Sequence, residues 1–186
     1  MAESKPSILA IVGALRKDSF NRQLAAFAAE ALGDRATFSE LAFADVPLFN
    51  QDIEHPAPDP VRRVREAVKA ADGLWFFSPE YNHGVPGVLK NLIDWLSRPV
   101  SETERQVLSR KPAAVSGVST GMAGAIMAQD QLVGLLSLLN ARVMNFPRVS
   151  VPNARQQLDT AGRLTLSDAS RTFLQRQAEA YLKFLP

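Results

Sequence analysis

The feature that most constrains the fold of this chain is the alternation of short apolar runs with longer segments of helical periodicity. Ile8–Gly13, Gly73–Ser78 and Ala113–Val118 are predominantly apolar, as is typical of strands buried on both faces of a parallel sheet. A weaker second strand is predicted at 36–41 and a short fifth strand at 142–145. Because helical patterns separate these runs, we predict an α/β fold with a mostly parallel sheet covered on both faces.

The segments between the predicted strands have apolar residues at helical spacing. The first helix follows Ser19, which suits an N-cap, and another begins with Pro86 in its first turn. Three further helices are marked by apolar positions that recur every three or four residues: Val61–Ala71, Leu132–Leu139 and Leu174–Leu185. Two surface features are expected, namely the polar segment 101–111 and the outward-facing residues Arg62, Arg63, Arg65 and Lys69.

Composition excludes several classes of protein and site. The 186 residues are expected to form one domain, 1–186, and the net charge of +2 without a basic tract gives no support to nucleic-acid binding. The absence of cysteine excludes disulfides, thiolate catalysis and sulfur-ligated metals, and makes the cytoplasm the expected location. Ile8–Val12 is too short for a signal peptide, and no run approaches the roughly 20 apolar residues that cross a membrane.

Three polar loops are expected to meet at one edge of this sheet, beside the carboxyl ends of strands one, three and four. The first, Gly13–Arg22, places Arg16, Ser19 and Asn21 next to a helix N-terminus, where free N–H groups and the helix dipole attract an anion. The alternative is that Ser19 only caps the helix while Arg16 is solvated. The loop matches neither the GxxxxGK[ST] nor the GxGxxG pattern.

The second loop connects the third strand to the helix at Pro86, and the third loop covers Ser116–Gly121. Tyr81 and Asn82 could serve only to pack their turn, and His83 is expected to be exposed because no acidic residue is placed to orient it as a base. The third loop could equally be a simple glycine-rich turn. Together, however, the loops offer many hydrogen-bond donors and no acid–base–nucleophile set, which favours a site for a planar cofactor that supplies its own chemistry.

Two motifs in these loops resemble one family. GALRKDSFN resembles the GSLRxxSxN phosphate loop of the NAD(P)H-dependent FMN reductase family, and PEYNHGVPGVLKNLIDWLSR is similar to its PEYNxSxPGxLKNAIDWxSR signature. The resemblance covers about Ser7 to Pro147. It implies a flavodoxin-like three-layer sandwich with a five-stranded parallel sheet in the order 2-1-3-4-5, FMN at the switch point, and a homodimer or homotetramer.

The resemblance also implies an activity, since the family includes bacterial quinone, chromate and azo-dye reductases. The expected protein is an FMN-dependent NAD(P)H oxidoreductase that uses NADPH or NADH and reduces quinones, chromate, azo compounds or free flavin by ping-pong hydride transfer. One alternative is a flavodoxin-type electron carrier. Proteins of that type are similar to one another in being acidic and in having a Thr-rich phosphate loop, whereas this chain is nearly neutral and has Arg16 in its loop. Another is a flavin-binding regulatory protein without turnover.

The resemblance assigns roles to individual residues of this chain. The FMN phosphate would be held by Arg16, Ser19 and Asn21 together with backbone N–H groups from Leu15 to Phe20. The ring would be lined, mostly through backbone hydrogen bonds, by Pro79, Glu80, Tyr81, Asn82 and His83. Ser116 and Ser119 would approach the ring or the ribityl chain from a third side. No catalytic side chain and no metal ligand is predicted.

The chain departs from the family pattern at two positions. Ala14 replaces a common Ser and so removes one hydroxyl from the phosphate site, at a cost of about 1 kcal/mol. Gly84 also replaces a common Ser and is expected to loosen the loop around the flavin. The long loop Pro47–Asp59 is expected, from its length and from the family's habit, to cover the site from a neighbouring subunit.

Overall fold

The computed structural model describes residues 5–186. Residues 1–4 lie outside the described part of the chain, and so does that part of the N-terminal segment for which no signal peptide is expected. A parallel sheet forms the centre of the described chain. Its strands are β1 (Ser7–Val12), β2 (Thr37–Glu40), β3 (Gly73–Phe77), β4 (Pro112–Val118), β5 (Arg142–Val143) and β6 (Val149–Val151). The order β2-β1-β3-β4-β5 confirms the predicted flavodoxin-like topology.

The sheet contains a sixth strand that the sequence did not predict. β4 pairs with β5 along Pro112 and Ala113, and with β6 along Ser116–Val118, so two short strands share one neighbour. The predicted fifth strand at 142–145 accounts only for β5. A Val-Ser-Val segment is too short to show a periodic signal, and only its pairing with β4 identifies it as a strand.

Helices cover both faces of the sheet. Their bounds are α1 (Phe20–Leu32), α2 (Asp59–Ala70), α3 (Gly87–Leu96), α4 (Ile126–Leu138) and α5 (Asp168–Phe184). The apolar faces of α1 and α5 pack on one side, while α2, α3 and α4 pack on the other. Ser19 is the N-cap of α1 as predicted, but Pro86 is the N-cap of α3 and not its first helical residue. Within residues 5–186, no helix is both long and apolar enough to span a membrane.

The strands are buried on both faces, as their continuous apolar runs predict. Trp75 and Phe77 of β3 face α1 and α5, while Leu74 and Phe76 face the opposite layer. Tyr181 of α5 lies against Trp75 and donates its hydroxyl to the carbonyl oxygen of Leu74 at 2.6 Å. Burial raises the pKa of Tyr181 well above its usual value, so the phenol remains a neutral donor that joins α5 to the sheet.

Arg65 corrects the prediction that all cationic residues of α2 face solvent. Its side chain is buried, and its Nη2 donates to the carbonyl oxygen of Trp95 at 3.1 Å. That carbonyl belongs to the last turn of α3, where the oxygens lack helical partners and the dipole favours a cation. Burial also lowers the pKa of the Arg65 guanidinium. Arg62 and Arg63 are exposed as expected and pair with Asp59 and Asp45.

One expectation about a connecting segment is wrong, and another stays open. The segment 101–111 is not wholly a surface excursion, because Val107 and Leu108 are buried in the layer formed by α2, α3 and α4. The loop at 47–59 packs on α3 of its own chain, and its expected position over the site of a neighbouring subunit stays a prediction. The carbonyl oxygen of Pro47 accepts hydrogen bonds from Asn91 Nδ2 at 2.9 Å and Trp95 Nε1 at 2.8 Å, which hold the loop on α3.

Candidate functional site

A cavity of about 650 Å³ lies at the carboxyl ends of β1, β3 and β4. All predicted cofactor-binding residues except Leu15 and Ser116 line it, together with residues that were not predicted. The lining residues are Ala14, Arg16, Ser19, Phe20, Asn21, Pro79, Glu80, Tyr81, Asn82, His83, Val118, Ser119, Thr120, Gly121 and Arg155. The three loops therefore meet at one edge, as expected for a ligand site in an open α/β sheet.

The first loop is held in shape by Arg22 of α1. Its guanidinium donates to the carbonyl oxygens of Arg16, Lys17 (3.0 Å) and Ala14 (3.2 Å). The carbonyl oxygens of the loop are therefore paired with the Arg22 side chain. The N–H groups of Leu15, Arg16 and Phe20 meet no acceptor within the described part of the chain. A loop of free donors beside a helix N-terminus is suited to bind an anion.

Ser19 and Asn21 have structural contacts within this loop. Ser19 Oγ accepts from the N–H of Asn21 at 3.2 Å and so caps α1. The buried Asn21 amide donates to the carbonyl oxygen of Val118 at 2.9 Å and accepts from its N–H at 3.0 Å. Both polar atoms of the Asn21 side chain are thus bonded to the end of β4. The observed role of Asn21 is to join two walls of the cavity, and its contact with a phosphate stays a prediction.

The second loop forms a tight two-residue turn. Tyr81 and Gly84 exchange backbone hydrogen bonds of 3.1 and 3.0 Å, and Asn82 and His83 between them have φ values of 51° and 62°. Positive φ at both central residues is the pattern of a type I′ turn. Gln131 of α4 also donates to the carbonyl oxygen of His83 at 3.0 Å. These bonds oppose the loosening that Gly84 was expected to cause.

Glu80 fixes the position of this turn relative to α4. Its Oε2 accepts from the N–H groups of Met127 at 3.1 Å and Ala128 at 3.2 Å, in the first turn of that helix. A carboxylate here satisfies two unpaired donors and complements the positive end of the helix dipole. Its charge is therefore balanced within the protein, and it leaves the cavity without a free carboxylate.

His83 is exposed, as expected, and its Nδ1 contacts the sulfur of Met127. Among the residues described, no acidic side chain is hydrogen-bonded to it. The arrangement lacks the orienting partner that a general base requires. The cavity therefore has donors that can bind and orient a ligand, but no assembled proton-transfer or nucleophilic group.

Two predicted residues lie elsewhere, and one lining residue, Arg155, lies outside the three predicted loops. Ser116 is completely buried in β4, where it accepts from Trp75 Nε1 at 2.9 Å and donates to Gln177 at 2.6 Å, so its side chain cannot reach the cavity. The Leu15 side chain is exposed outside the cavity. Arg155, which was missed, follows the unpredicted strand β6, and no local sequence signal marks it.

A larger open groove of about 1050 Å³ lies between the segment at 99–106 and the C-terminal end of α4. Both segments are at the amino ends of the strands, opposite the edge where such sheets bind ligands. The smaller cavity is the better candidate because free backbone donors and a helix N-terminus line it.

The fold defines a flavodoxin-like protein whose candidate site lies at the carboxyl edge of its sheet. Over residues 6–156 the sequence matches the NADPH-dependent FMN reductase family, and the chain belongs to that family. It is 40% identical over 177 residues to an NAD(P)H-dependent FMN reductase of Pseudomonas aeruginosa, covering 93% of this chain and 91% of the relative.

Two further similarities cover nearly the whole chain. It is 36% identical over 174 residues to a 2-hydroxy-1,4-benzoquinone reductase of a Burkholderia species, with 94% of this chain and 93% of the relative aligned. Its structure is similar to that of a flavoenzyme NAD(P)H:(acceptor) oxidoreductase from Paracoccus denitrificans, with a TM-score of 0.84, 31% identity and 96% of each chain covered.

Proposed function

We propose that this protein is an FMN-dependent NAD(P)H oxidoreductase that reduces quinones or similar small acceptors. The observation that carries the proposal is the loop of free N–H groups and Arg16 at the N-terminus of α1, facing the same cavity as the Tyr81–Gly84 turn. The names of the aligned reductases support it. When bound, FMN would supply the redox chemistry by accepting a hydride from NAD(P)H and passing electrons to the acceptor.

The residues of the cavity fit FMN in size and charge. A cavity of about 650 Å³ is within the range of small-molecule and cofactor sites. The N–H groups of the first loop and Arg16 would hold the phosphate, and the backbone of the Tyr81–Gly84 turn would contact the polar edge of the ring. Glu80 would not repel the phosphate because α4 already engages its carboxylate.

The test is to measure FMN binding first and turnover second. Titration of FMN fluorescence should show binding at micromolar protein, and the loaded protein should oxidise NADH or NADPH in the presence of a quinone. A panel with chromate, an azo dye and free FMN would then define the acceptor. Absence of FMN binding would contradict the proposal. FMN binding with no direct oxidation of NAD(P)H would favour the electron carrier, which needs a separate reductase.

We also infer that the protein forms homodimers through α4. Ile126, Met127 and Leu138 on this helix are 44%, 45% and 81% exposed. A shallow groove of about 470 Å³ includes Leu138 and is lined by Val85, Lys90, Gln131, Gly134, Leu135 and Leu138. An apolar surface of this kind is typical of an interface, and a two-fold dimer would bury the same patch on both copies.

The proposed interface borders the cofactor cavity. Met127 contacts His83, and Gln131 is hydrogen-bonded to the same turn, so residues of the α4 surface also support the wall of the cavity. A second copy on α4 would therefore lie next to the mouth of the site. Dimerisation and ligand binding are expected to stabilise each other, because both hold the Tyr81–Gly84 turn.

A further inference from the structure

Arg155 lines the cavity, and it is the lining arginine that none of the three predicted loops supplies. We propose that Arg155 is a second phosphate-binding residue of the cofactor site and acts together with Arg16. This proposal depends on the proposed function, because it takes FMN as the ligand. It concerns the end of the cavity formed by α1, and two sets of contacts and the charge of the lining support it.

The first set of contacts fastens Arg155 to the edge of the cavity. The short 3-10 helix at 154–157 begins after Asn153, whose left-handed backbone (φ 50°) turns the chain back from β6. The N–H of Ala154 donates to the carbonyl oxygen of Ser119, and the N–H of Asn153 to that of Gly121, both at 3.0 Å. The residue after Ala154 is thereby held over the turn that follows β4.

The second set of contacts indicates which end of the cavity lies nearest to the segment that carries Arg155. Asn21, in the first turn of α1, is bonded through its side chain to Val118, the residue before Ser119. Farther along α1, Gln23 Oε1 accepts from the N–H of Leu164 at 2.7 Å. The segment that carries Arg155 therefore lies against the N-terminal half of α1. This is the end where the free N–H groups of the first loop are found.

The third observation is the charge of the cavity lining. Within residues 5–186, neither Arg16 nor Arg155 forms an ion pair with a carboxylate, and Arg16 only lies over the ring of Phe20 at 5.4 Å. Glu80, the one carboxylate among the lining residues, is engaged by α4. Two arginines without a carboxylate partner therefore line one cavity. A phosphate monoester carries about two negative charges at neutral pH, which matches this pair.

The experiment compares FMN with riboflavin, which has the same ring but no phosphate. Dissociation constants for both are measured by fluorescence titration on the wild type, Arg155→Gln and Arg155→Lys. The expected result is that Arg155→Gln weakens FMN binding by about tenfold and leaves riboflavin binding unchanged. Arg155→Lys should recover part of the loss, since it keeps the charge. Thermal melts of the apoproteins check that each variant is folded.

Arg163→Gln is the matched control, because Arg163 lies on the same connection but pairs with Asp159 outside the cavity lining. It should leave both affinities unchanged. Equal weakening of FMN and riboflavin, or a raised KM for NADPH with unchanged FMN affinity, would overturn the phosphate role of Arg155. Absence of FMN binding by the wild type would overturn the proposed function itself, so the two failures are distinguishable.

Discussion

At the scale of single residues, arginines that the local sequence does not distinguish have different environments in the structure. Arg62 is exposed beside Asp59, Arg65 is buried against the last turn of α3, and Arg16 faces the candidate cofactor cavity. Helical periodicity places Arg62 and Arg65 on one side of α2, but it does not reveal which neighbour covers that side. The charge of an arginine is thus known from the sequence, whereas its partner depends on packing.

The role of Arg16 can be tested by substitution. Arg16→Ala should weaken FMN binding by about tenfold or more, because a hydrogen bond to a charged group contributes about 1.5–3 kcal/mol. The measurement is the dissociation constant of FMN by fluorescence titration. Arg62→Ala is the control on the exposed face of α2, and it should leave the affinity unchanged. Equal losses in both variants would remove Arg16 from the phosphate site.

At the scale of secondary-structure elements, close packing between neighbouring elements stabilises the walls of the cavity. β3 and β4 lie so close at their carboxyl ends that a Cβ on Gly117 would be 2.6 Å from the carbonyl oxygen of Ser78 and 3.0 Å from Ala125 Cβ. The need for glycine here comes from this close approach of two backbones and not from a special φ angle. The same closeness holds two walls of the cavity together.

Gly117→Ala should therefore destabilise the protein by about 1–3 kcal/mol, as is usual when an extra methyl group is forced into a packed region. The free energy of unfolding, from urea denaturation, is the quantity to measure. Gly87→Ala in α3 is the control, since a Cβ there has open space around it and should not destabilise. Equal stability of the Gly117→Ala variant and the wild type would contradict the close approach.

The loop at 47–59 is joined to the end of α3 by an ion pair. Arg98 Nε donates to Glu54 Oε1 at 2.8 Å, and this hydrogen bond holds the pKa of the Glu54 carboxyl below its usual value of 4.5. A depressed pKa in the folded state means that the pair stabilises the protein above pH 4.5. The contribution is lost as the pH falls through the folded-state pKa.

Arg98→Gln should lower the free energy of unfolding by about 1 kcal/mol at pH 7, because the pair is partly exposed and screened. The difference from the wild type should shrink as denaturation is repeated at lower pH, below 4.5. Arg105→Gln, on the exposed segment nearby, serves as a control with no such pH dependence. A difference that stays constant down to acid pH would show that Glu54 does not titrate with the pair.

At the scale of the whole molecule, the apolar surface of α4 is the feature that the isolated fold leaves unexplained. Leu132 and Leu136 are buried against one face of the sheet, whereas Leu138 on the same helix is 81% exposed. A surface helix normally keeps one polar face towards water. The apolar residues on both sides of α4 are accounted for if a second copy covers the outer side.

Leu138→Glu should convert the proposed dimer to a monomer, because an unpaired carboxylate would be buried in an apolar interface. Sedimentation velocity or size-exclusion chromatography with light scattering measures the mass in solution. Phe146→Glu is the matched control, since Phe146 is 80% exposed but lies outside α4 and the loop at 47–59. A wild-type protein that is monomeric at micromolar concentration would contradict the proposed interface.

The sequence by itself was sufficient for the strand and helix alternation, the N-cap at Ser19 and the motifs that gather Arg16 and the Tyr81–Gly84 turn at one edge. These features depend on local properties, namely the spacing of apolar residues, the capping preference of a hydroxyl side chain and the amino-acid sequence of two continuous motifs. Their resemblance to a family also predicted the strand order that the structure confirms.

Only the tertiary structure decided the existence of β6, the presence of Arg155 in the cavity and the inward roles of Asn21 and Ser116. Each depends on a hydrogen bond between residues far apart in the chain, such as the Asn21–Val118 pair, which is separated by 97 positions. A three-residue strand has no periodicity of its own, and a polar side chain has no fixed partner until the chain folds around it. Local patterns therefore locate the site, while long-range contacts determine which side chains remain free to bind a ligand.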